Sequence, residues 1–280
     1  MAKRNRTQYK DLGLEIAIIF GRYFFHTDHL HYGYWPQELP VHADNLLCAQ
    51  QNYCKMLLSR IPVDTKTILE VGCGTGKFAE ELKQQDYSVD CVSPSALLTS
   101  HARKRLGEDQ TIFECKYEDL ETDKRYDLIL FSESFQYVPL DTALRQCARF
   151  LAPGGRVLIS DFFSTDVKER SPLGGGHVMR HFYAALPLHH FEIIEDTDIT
   201  AETAPNLDLV SDLYQKVIIP IGRSVWQAAK QNYPTGFRVL SWIYRKKIAK
   251  LRRRYTGNAR SGANFLYFKS YRVILLAHQE

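Results

Sequence analysis

Hydrophobic and polar residues alternate along the middle of the chain in blocks that predict a regular series of strands and helices. Apolar runs rich in β-branched and aromatic residues predict strands at 67–71, 89–93, 111–115, 126–131 and 156–161. Segments with apolar residues at helical spacing predict the helices between them, at about 76–85, 94–106 and 141–151. This order is typical of an α/β fold with a doubly wound, mostly parallel sheet, in which ligands bind at the carboxyl ends of the strands.

The two ends of the chain add further elements. Apolar patterning predicts a sixth strand at 191–199 and a seventh at 269–278, and helices in front of the sheet at 11–25 and 42–60. About 70 residues separate the last two strands, and they show helical spacing at roughly 206–219, 222–232 and 236–255. We therefore expect a helical cap inserted between strands six and seven, beside the strand ends where a substrate would enter.

The turn after the first strand has glycine at alternate positions, because residues 70–76 read EVGCGTG. Glycine lets the backbone turn sharply and lets a ligand approach main-chain N–H groups that a side chain would shield. The spacing differs from the G-x-G-x-x-G of dinucleotide binders, and the Gly-Lys-Ser/Thr ending of a phosphate-binding loop is absent. A tight turn that binds no ligand is the alternative interpretation of this segment alone.

Three segments together resemble a known enzyme family. ILEVGCGTG at 68–76, YDLIL…SES at 126–134 and LAPGGRVLISD at 151–161 resemble motifs I, post-I and III of class I S-adenosylmethionine-dependent methyltransferases. They lie in the family's order and spacing, and the resemblance covers about residues 60–165. It implies a Rossmann-like sheet of seven strands, S-adenosylmethionine as cofactor and a methyltransferase activity.

The resemblance also gives a domain organisation. We expect an N-terminal helical lid segment at 1–60 and an S-adenosylmethionine-binding domain at 61–200. A helical substrate cap is expected at 201–266, and the last strand of the sheet at 267–280.

The first motif implies contacts to the methionine part of the cofactor. Gly72, Gly74 and Gly76 are expected to pass under this part. Glu70 is expected to order the turn or to reach the cofactor's amino group through water.

The ends of the next three strands imply the remaining cofactor contacts. Ser93 stands where the family usually has an acid that binds both ribose hydroxyls, although a hydroxyl cannot form that charged bidentate pair. An N-cap of the following helix is the alternative role for Ser93. Tyr117 and Glu118 are expected to flank the adenine, and Glu133 to lie near the sulfonium and the substrate.

The segment HYGYW at 31–35 is similar to the aromatic N-terminal motif of the sterol, tocopherol and cyclopropane fatty acid group of methyltransferases, which closes over the cofactor. Its position implies a cofactor contact for Tyr34 and a catalytic role for Tyr32. Cyclopropane synthases need a bicarbonate site, and of its matching positions only Glu133 is retained here. We therefore expect methyl transfer to a small, hydrophobic or lipid-like acceptor rather than cyclopropanation.

Histidines provide two further candidates. His177 follows three glycines in a loop near the expected substrate position, and a neutral imidazole suits a general base, although a solvated loop histidine is the alternative. His26, Asp28, His29 and His31 could form a metal cluster. Their spacing fits neither a helix face nor a known zinc finger and methyl transfer needs no metal, so we expect structural roles and no metal.

Charge is distributed unevenly. The formal net charge is +4, yet residues 213–279 contain 14 Lys or Arg and no Asp or Glu. Such asymmetry suggests a polyanionic partner. The segment 236–255 combines an apolar stripe with many bases, which suits a helix on an anionic membrane surface, while a solvated face is the alternative.

Composition indicates a reducing compartment, since the six cysteines form no Cys-x-x-Cys pair and several lie in predicted core positions. We expect a cytoplasmic protein with peripheral membrane contact through 236–255 as an option.

Two alternative functions stay open. One is a nucleic-acid methyltransferase that uses the basic region, and the other is a non-catalytic S-adenosylmethionine-binding protein. Nucleic acid is the less favoured partner because no aromatic-rich platform is evident. The oligomeric state and the attacking atom of the acceptor stay open.

Overall fold

The computed structural model describes residues 2–235, 242–245 and 258–279, with side chains for 12–235, 242–245 and 259–279. Its strands form one seven-stranded sheet in the order β3-β2-β1-β4-β5-β7-β6. The strands are β1 Thr67–Val71, β2 Ser88–Val92, β3 Ile112–Phe113, β4 Tyr126–Ser132, β5 Leu151–Ser164, β6 Phe191–Asp198 and β7 Lys269–His278. Neighbours from β1 to β5 pair in parallel, and β7 runs antiparallel to β5 and β6. The predicted doubly wound sheet is confirmed.

Helices cover both faces of this sheet. They are α1 Ala2–Phe24, α2 Leu46–Leu58, α3 Lys77–Lys83, α4 Ala96–Leu106, α5 Leu140–Phe150, α6 Met179–Ala185, α7 Thr200–Thr203, α8 Pro205–Leu213, α9 Ile219–Asn232 and α10 Gly262–Phe268. Buried side chains of α2, α3 and α4 pack with one face of the strands in a first core. Those of α5 and α6 form a second core on the opposite face. Residues at the carboxyl ends of β1 and β4 line a cleft.

The fifth strand starts earlier than predicted, since the prediction began it at residue 156 and β5 begins at Leu151. The pairing register with β4 shifts between Tyr126 and Leu128. Gly154 has φ +73°, and a Cβ on Gly155 would lie 2.9 Å from the Tyr126 carbonyl oxygen. The Pro-Gly-Gly segment therefore forms a bulge within the strand, because glycine permits both the positive φ and the close backbone approach.

The cap begins as predicted and continues without a break from α8 through a π-helical turn, Tyr214–Ile218, into α9. Most of the predicted basic helix at 236–255 lies outside the described residues, and 242–245 are helical. In the part of the chain that the structure describes, the search for a helix long and apolar enough to cross a membrane finds none.

Candidate functional site

The glycine turn after β1 forms the floor of a cleft at the carboxyl edge of the sheet. Gly72, Gly74 and Gly76 have φ of +83°, +56° and +76°. A Cβ on Gly72 would lie 2.5 Å from Ser134 Cβ, and one on Gly76 would lie 3.0 Å from Ala102 Cα. A Cβ on Gly74 would meet only Leu30 Cδ1, at 3.8 Å. Packing therefore requires the first and third glycines, whereas the second faces open space that a ligand could fill.

This difference predicts unequal losses of stability. Gly74→Ala should cost about 1–2 kcal/mol of unfolding free energy, which is the penalty of a left-handed conformation for a residue with a side chain. Gly72→Ala should lose an additional amount of about 1–3 kcal/mol, because the methyl group must displace Ser134. Urea denaturation of the ligand-free variants measures both losses, and equal losses would contradict the packing difference.

The N-terminal segment forms the roof of the same cleft. Leu14 and residues 28–31 line the cleft from this side. Thr75 Oγ1 donates a hydrogen bond of 2.7 Å to the Asp28 carbonyl oxygen. The Asp28 carboxylate pairs with Arg105 Nη2 at 2.6 Å and with Arg22. These contacts fix the roof onto the glycine turn.

Glu70 is a buried acid that lies under this roof. Its side chain is 3% exposed and lines the cleft. Among the described residues, its Oε2 atom has no hydrogen-bond partner. Burial raises the pKa of the Glu70 carboxyl to about 8, and the nearby Glu81 carboxylate adds to the rise. A buried oxygen without a partner fits a cationic or N–H donor group of a ligand.

Glu133 lies at the other wall of the cleft, directly after β4. It has φ +56°, a strained conformation for a residue with a side chain, and its N–H donates to the Ser160 carbonyl oxygen at 2.8 Å. Its Oε1 atom accepts hydrogen bonds from the Tyr32 N–H at 2.7 Å and the Tyr271 hydroxyl at 3.0 Å. Burial raises the pKa of the Glu133 carboxyl to about 8. The backbone thus aims a carboxyl with a near-neutral pKa into the cleft.

Three polar residues in the surroundings of Glu133 were not predicted. The Tyr53 hydroxyl lies 3.0 Å from that of Tyr271 and donates to Ser160 Oγ at 2.7 Å. The buried Asp161 accepts from the Gln136 N–H at 2.9 Å, and burial raises the pKa of its carboxyl to about 7. Its position near the end of a strand could have indicated Asp161. Tyr53 and Tyr271 gave no such signal, because each occupies an apolar position of its own element.

Tyr32 belongs to an aromatic wall next to Glu133, which we define as Tyr32, Phe162, Phe265 and Tyr271. The Tyr32 ring lies 6.1–6.4 Å from the other three ring centres. The wall joins the roof to β5, β7 and α10, and it packs with the first core.

The rest of the aromatic segment is tied to the cap. Asn206 Oδ1 accepts from the Gly33 N–H at 2.8 Å and from Trp35 Nε1 at 3.2 Å, and Asn206 Nδ2 donates to the Gly33 carbonyl oxygen at 2.7 Å. The Tyr34 N–H donates to the Ala49 carbonyl oxygen at 2.8 Å. The Tyr34 side chain packs against the first core and does not line the cleft.

Other predicted cofactor residues also lie outside the cleft lining. Ser93 is 2% exposed and its Oγ accepts from the Ser95 N–H at 3.4 Å. Ser95, rather than Ser93, caps α4 by accepting from the Leu98 N–H.

Tyr117 is buried in the second core with its hydroxyl 3.5 Å from Cys147 Sγ. Glu118 forms an ion pair of 3.3 Å with Lys116. Gly76 packs against α4, as described above.

His177 does not face the cleft. Its Nε2 lies 3.1 Å from the Phe135 carbonyl oxygen, so this nitrogen carries the proton and donates. The imidazole also packs edge-on against the Phe135 ring, with centres 5.3 Å apart. The two contacts hold the ring against the residues that follow β4.

Comparison with known proteins finds a matching family, similar sequences and similar structures. Residues 49–196, more than half of the chain, match a family described as a methyltransferase domain. The methyltransferase GfsG of Streptomyces halstedii is 29% identical over 243 residues, which cover 78% of this chain and 85% of that protein. A malonyl-acyl-carrier-protein O-methyltransferase of Priestia megaterium is 33% identical over 99 residues, covering 34% of this chain and 36% of that protein.

Two solved structures share the fold over nearly the full chain. The cyclase SpnF superimposes with a TM-score of 0.69 at 18% identity, covering 97% of this chain and 94% of that one. The geranyl diphosphate C-methyltransferase of Streptomyces coelicolor A3(2) superimposes with a TM-score of 0.62 at 17% identity, covering 90% and 88%. That structure was determined with Mg²⁺, a diphosphate ligand and S-adenosyl-L-homocysteine.

Proposed function

This chain belongs to the methyltransferase domain family and is a class I S-adenosylmethionine-dependent methyltransferase, and on that premise we propose that it methylates a small, hydrophobic acceptor. The observation that carries the proposal is the position of Glu133 between the cleft and the aromatic wall. The names of two compared proteins support a small acceptor group, since one acts on malonyl-acyl-carrier protein and the other on geranyl diphosphate.

The cofactor is S-adenosylmethionine, which supplies an electrophilic methyl group on a positively charged sulfur. The cleft fits this molecule because Glu70 offers an unpaired buried oxygen to the amino group and Gly74 leaves room above the backbone. We propose contacts from Glu70, Gly72 and Gly74.

Contacts from Ser93 and Glu118 stay a proposal that rests on the family motifs, since both residues follow strands that end at the edge of the sheet where the cleft lies. The proposed contacts of Tyr34, Gly76 and Tyr117 have weaker support, because these residues pack away from the cleft.

Glu133 is the proposed general base. A group with a pKa of about 8 is ionised often enough near neutral pH to accept a proton, and basic enough to hold it. The Tyr32 N–H and the Tyr271 hydroxyl stabilise the carboxylate and fix its direction. His177 is the weaker candidate, since its Nε2 is engaged by the Phe135 carbonyl oxygen. The remaining rate enhancement would come from holding the nucleophile in line with the methyl group.

The surrounding segments have proposed roles of their own. The roof at 28–36 would exclude water from the sulfonium as a fixed wall, because Asp28 and Asn206 tie it at both ends. The cap from α7 to α10 would shape the acceptor site through Phe265 and Asn206. Contact of 236–255 with an anionic membrane stays a proposal that rests on the sequence alone.

Product labelling tests this function. Cell extract incubated with the protein and S-adenosylmethionine with a deuterated methyl group should yield a labelled small molecule in mass spectrometry. The same incubation with the Glu133→Gln variant should yield far less of it. Label found only in RNA would support the nucleic-acid alternative, and no label in any fraction would favour a non-catalytic binding protein.

A further inference from the structure

A cluster of metal-binding side chains joins the roof to α2, and it is not needed by the proposed methyl transfer. His29, His31 and Cys54 each place one donor atom within 4.8 Å of the others. His29 Nδ1 lies 3.0 Å from His31 Nε2, which lies 3.4 Å from Cys54 Sγ, and Cys54 Sγ lies 3.9 Å from His29 Nδ1. His29 is 7% exposed and Cys54 is 2% exposed.

The hydrogen bonds of this cluster need one proton more than neutral rings supply. His31 Nδ1 lies 2.7 Å from the Tyr32 carbonyl oxygen, so it carries a proton and leaves Nε2 as an acceptor. His29 Nδ1 must then carry a proton to donate to that nitrogen. His29 Nε2 lies 3.2 Å from Glu81 Oε1 and would also need a proton, which a neutral imidazole does not have.

A metal ion satisfies these contacts without the additional proton, which would otherwise make His29 an imidazolium facing Glu81. If it binds His29 Nδ1 and His31 Nε2, each ring keeps its one proton on the other nitrogen, where His29 donates to Glu81 and His31 donates to the Tyr32 carbonyl oxygen. Metal-bound histidines commonly donate their second N–H to a carboxylate or a backbone carbonyl in this way. Lys77 Nζ lies 3.6 Å from the Glu81 carboxylate and helps to hold it in place.

The spacing of the three donors also fits one ion. With metal–nitrogen distances of about 2.0 Å and a metal–sulfur distance of about 2.3 Å, the observed separations give angles of roughly 95°, 105° and 130° at the metal. These angles describe a pyramid, so a fourth position stays open. Both imidazoles line the cleft and Cys54 does not, which directs the open position towards the cleft.

We propose that His29, His31 and Cys54 bind a zinc ion whose fourth position faces the cleft. Two imidazoles and a thiolate match the donor preference of zinc and do not suit Mg²⁺ or Ca²⁺, which take oxygen donors. The thiol gives up its proton when the metal binds, so binding releases one proton to solvent. The fourth position would accept water or an oxygen of the acceptor.

Sequence spacing does not reveal this site. Cys54 lies 23 residues after His31, on α2, where its position indicates an ordinary core residue. His26 and Asp28, which the sequence grouped with the two histidines, are not part of the cluster, since Asp28 pairs with Arg22 and Arg105.

Cobalt titration of the full-length protein, after treatment with a chelator, tests the proposal. One Co²⁺ should bind per chain and give visible absorption of a tetrahedral site together with a sulfur-to-cobalt charge-transfer band. Zn²⁺ should displace it. Cys54→Ser should lose the charge-transfer band and bind Co²⁺ at least about tenfold more weakly, while Glu81→Gln should keep the band and bind roughly 10- to 100-fold more weakly.

Cys48→Ser is the matched control, because Cys48 is an exposed cysteine of the same helix. It should behave like the wild type. The proposal is wrong if the wild-type protein binds no stoichiometric Co²⁺, or if its charge-transfer band persists in folded Cys54→Ser. The titration of the wild-type protein tests the metal site even if a variant does not fold. Its result does not depend on whether the protein transfers methyl groups.

Discussion

Glu133→Gln should lower kcat for methyl transfer by roughly 10²- to 10⁴-fold, the usual contribution of a positioned general base. Glutamine keeps an oxygen that can accept from the Tyr32 N–H and the Tyr271 hydroxyl, so the shape of the wall should persist. It cannot accept the proton of the acceptor. Stopped assays with labelled cofactor at saturating acceptor measure the loss.

The pH profile separates this role from a structural one. Since the active form of Glu133 is ionised, wild-type kcat should rise with pH through a midpoint near pH 8 and level off above it, whereas the variant should show no such rise. Because the folded pKa lies above the usual value of 4.5, ionisation lowers wild-type stability as pH rises towards 8. The uncharged variant should therefore be no less stable at pH 8. His177→Gln is the control, and a comparable loss there would contradict the assignment of the base.

Glu70→Gln should weaken the binding of S-adenosylmethionine by roughly 10- to 100-fold, because a hydrogen bond to a charged group contributes about 1.5–3 kcal/mol. The raised pKa of Glu70 also predicts a proton effect. A cationic amino group binds the ionised carboxylate, so wild-type affinity should increase as pH rises towards 8 and change little above it. Below that pH, binding should release a proton.

Titration calorimetry in two buffers with different ionisation enthalpies measures both the affinity and the released proton. Glu114→Gln is a suitable control, since Glu114 is an exposed glutamate that does not line the cleft. It should leave both quantities unchanged. Wild-type affinity in folded Glu70→Gln would show that the unpaired oxygen does not meet the cofactor.

Structural features that depend on a single strand, helix or turn could be predicted from the sequence. Features that depend on contacts between several of these elements could not. The spacing of apolar residues predicted the seven strands, and the glycines at alternate positions predicted the turn after β1. Strands and turn depend on local backbone geometry, which neighbouring residues determine. The hydrogen bond between Tyr53 and Tyr271 joins residues 218 positions apart, and no local pattern encodes it. For Tyr117, the place after β3 predicts a ligand contact, which stays a prediction, and the sequence did not reveal that its side chain packs in the second core.

The roof of the cleft also has a consequence for how the protein is made. Gly33 meets Asn206 across 173 positions, and Glu133 meets Tyr271 across 138. During synthesis the residues of the roof leave the ribosome long before these partners exist. Contacts of such high sequence separation form late and slow folding. Glu133 should therefore acquire its hydroxyl donor, Tyr271, only after β7 has been translated, and the proposed base stays without that support until then.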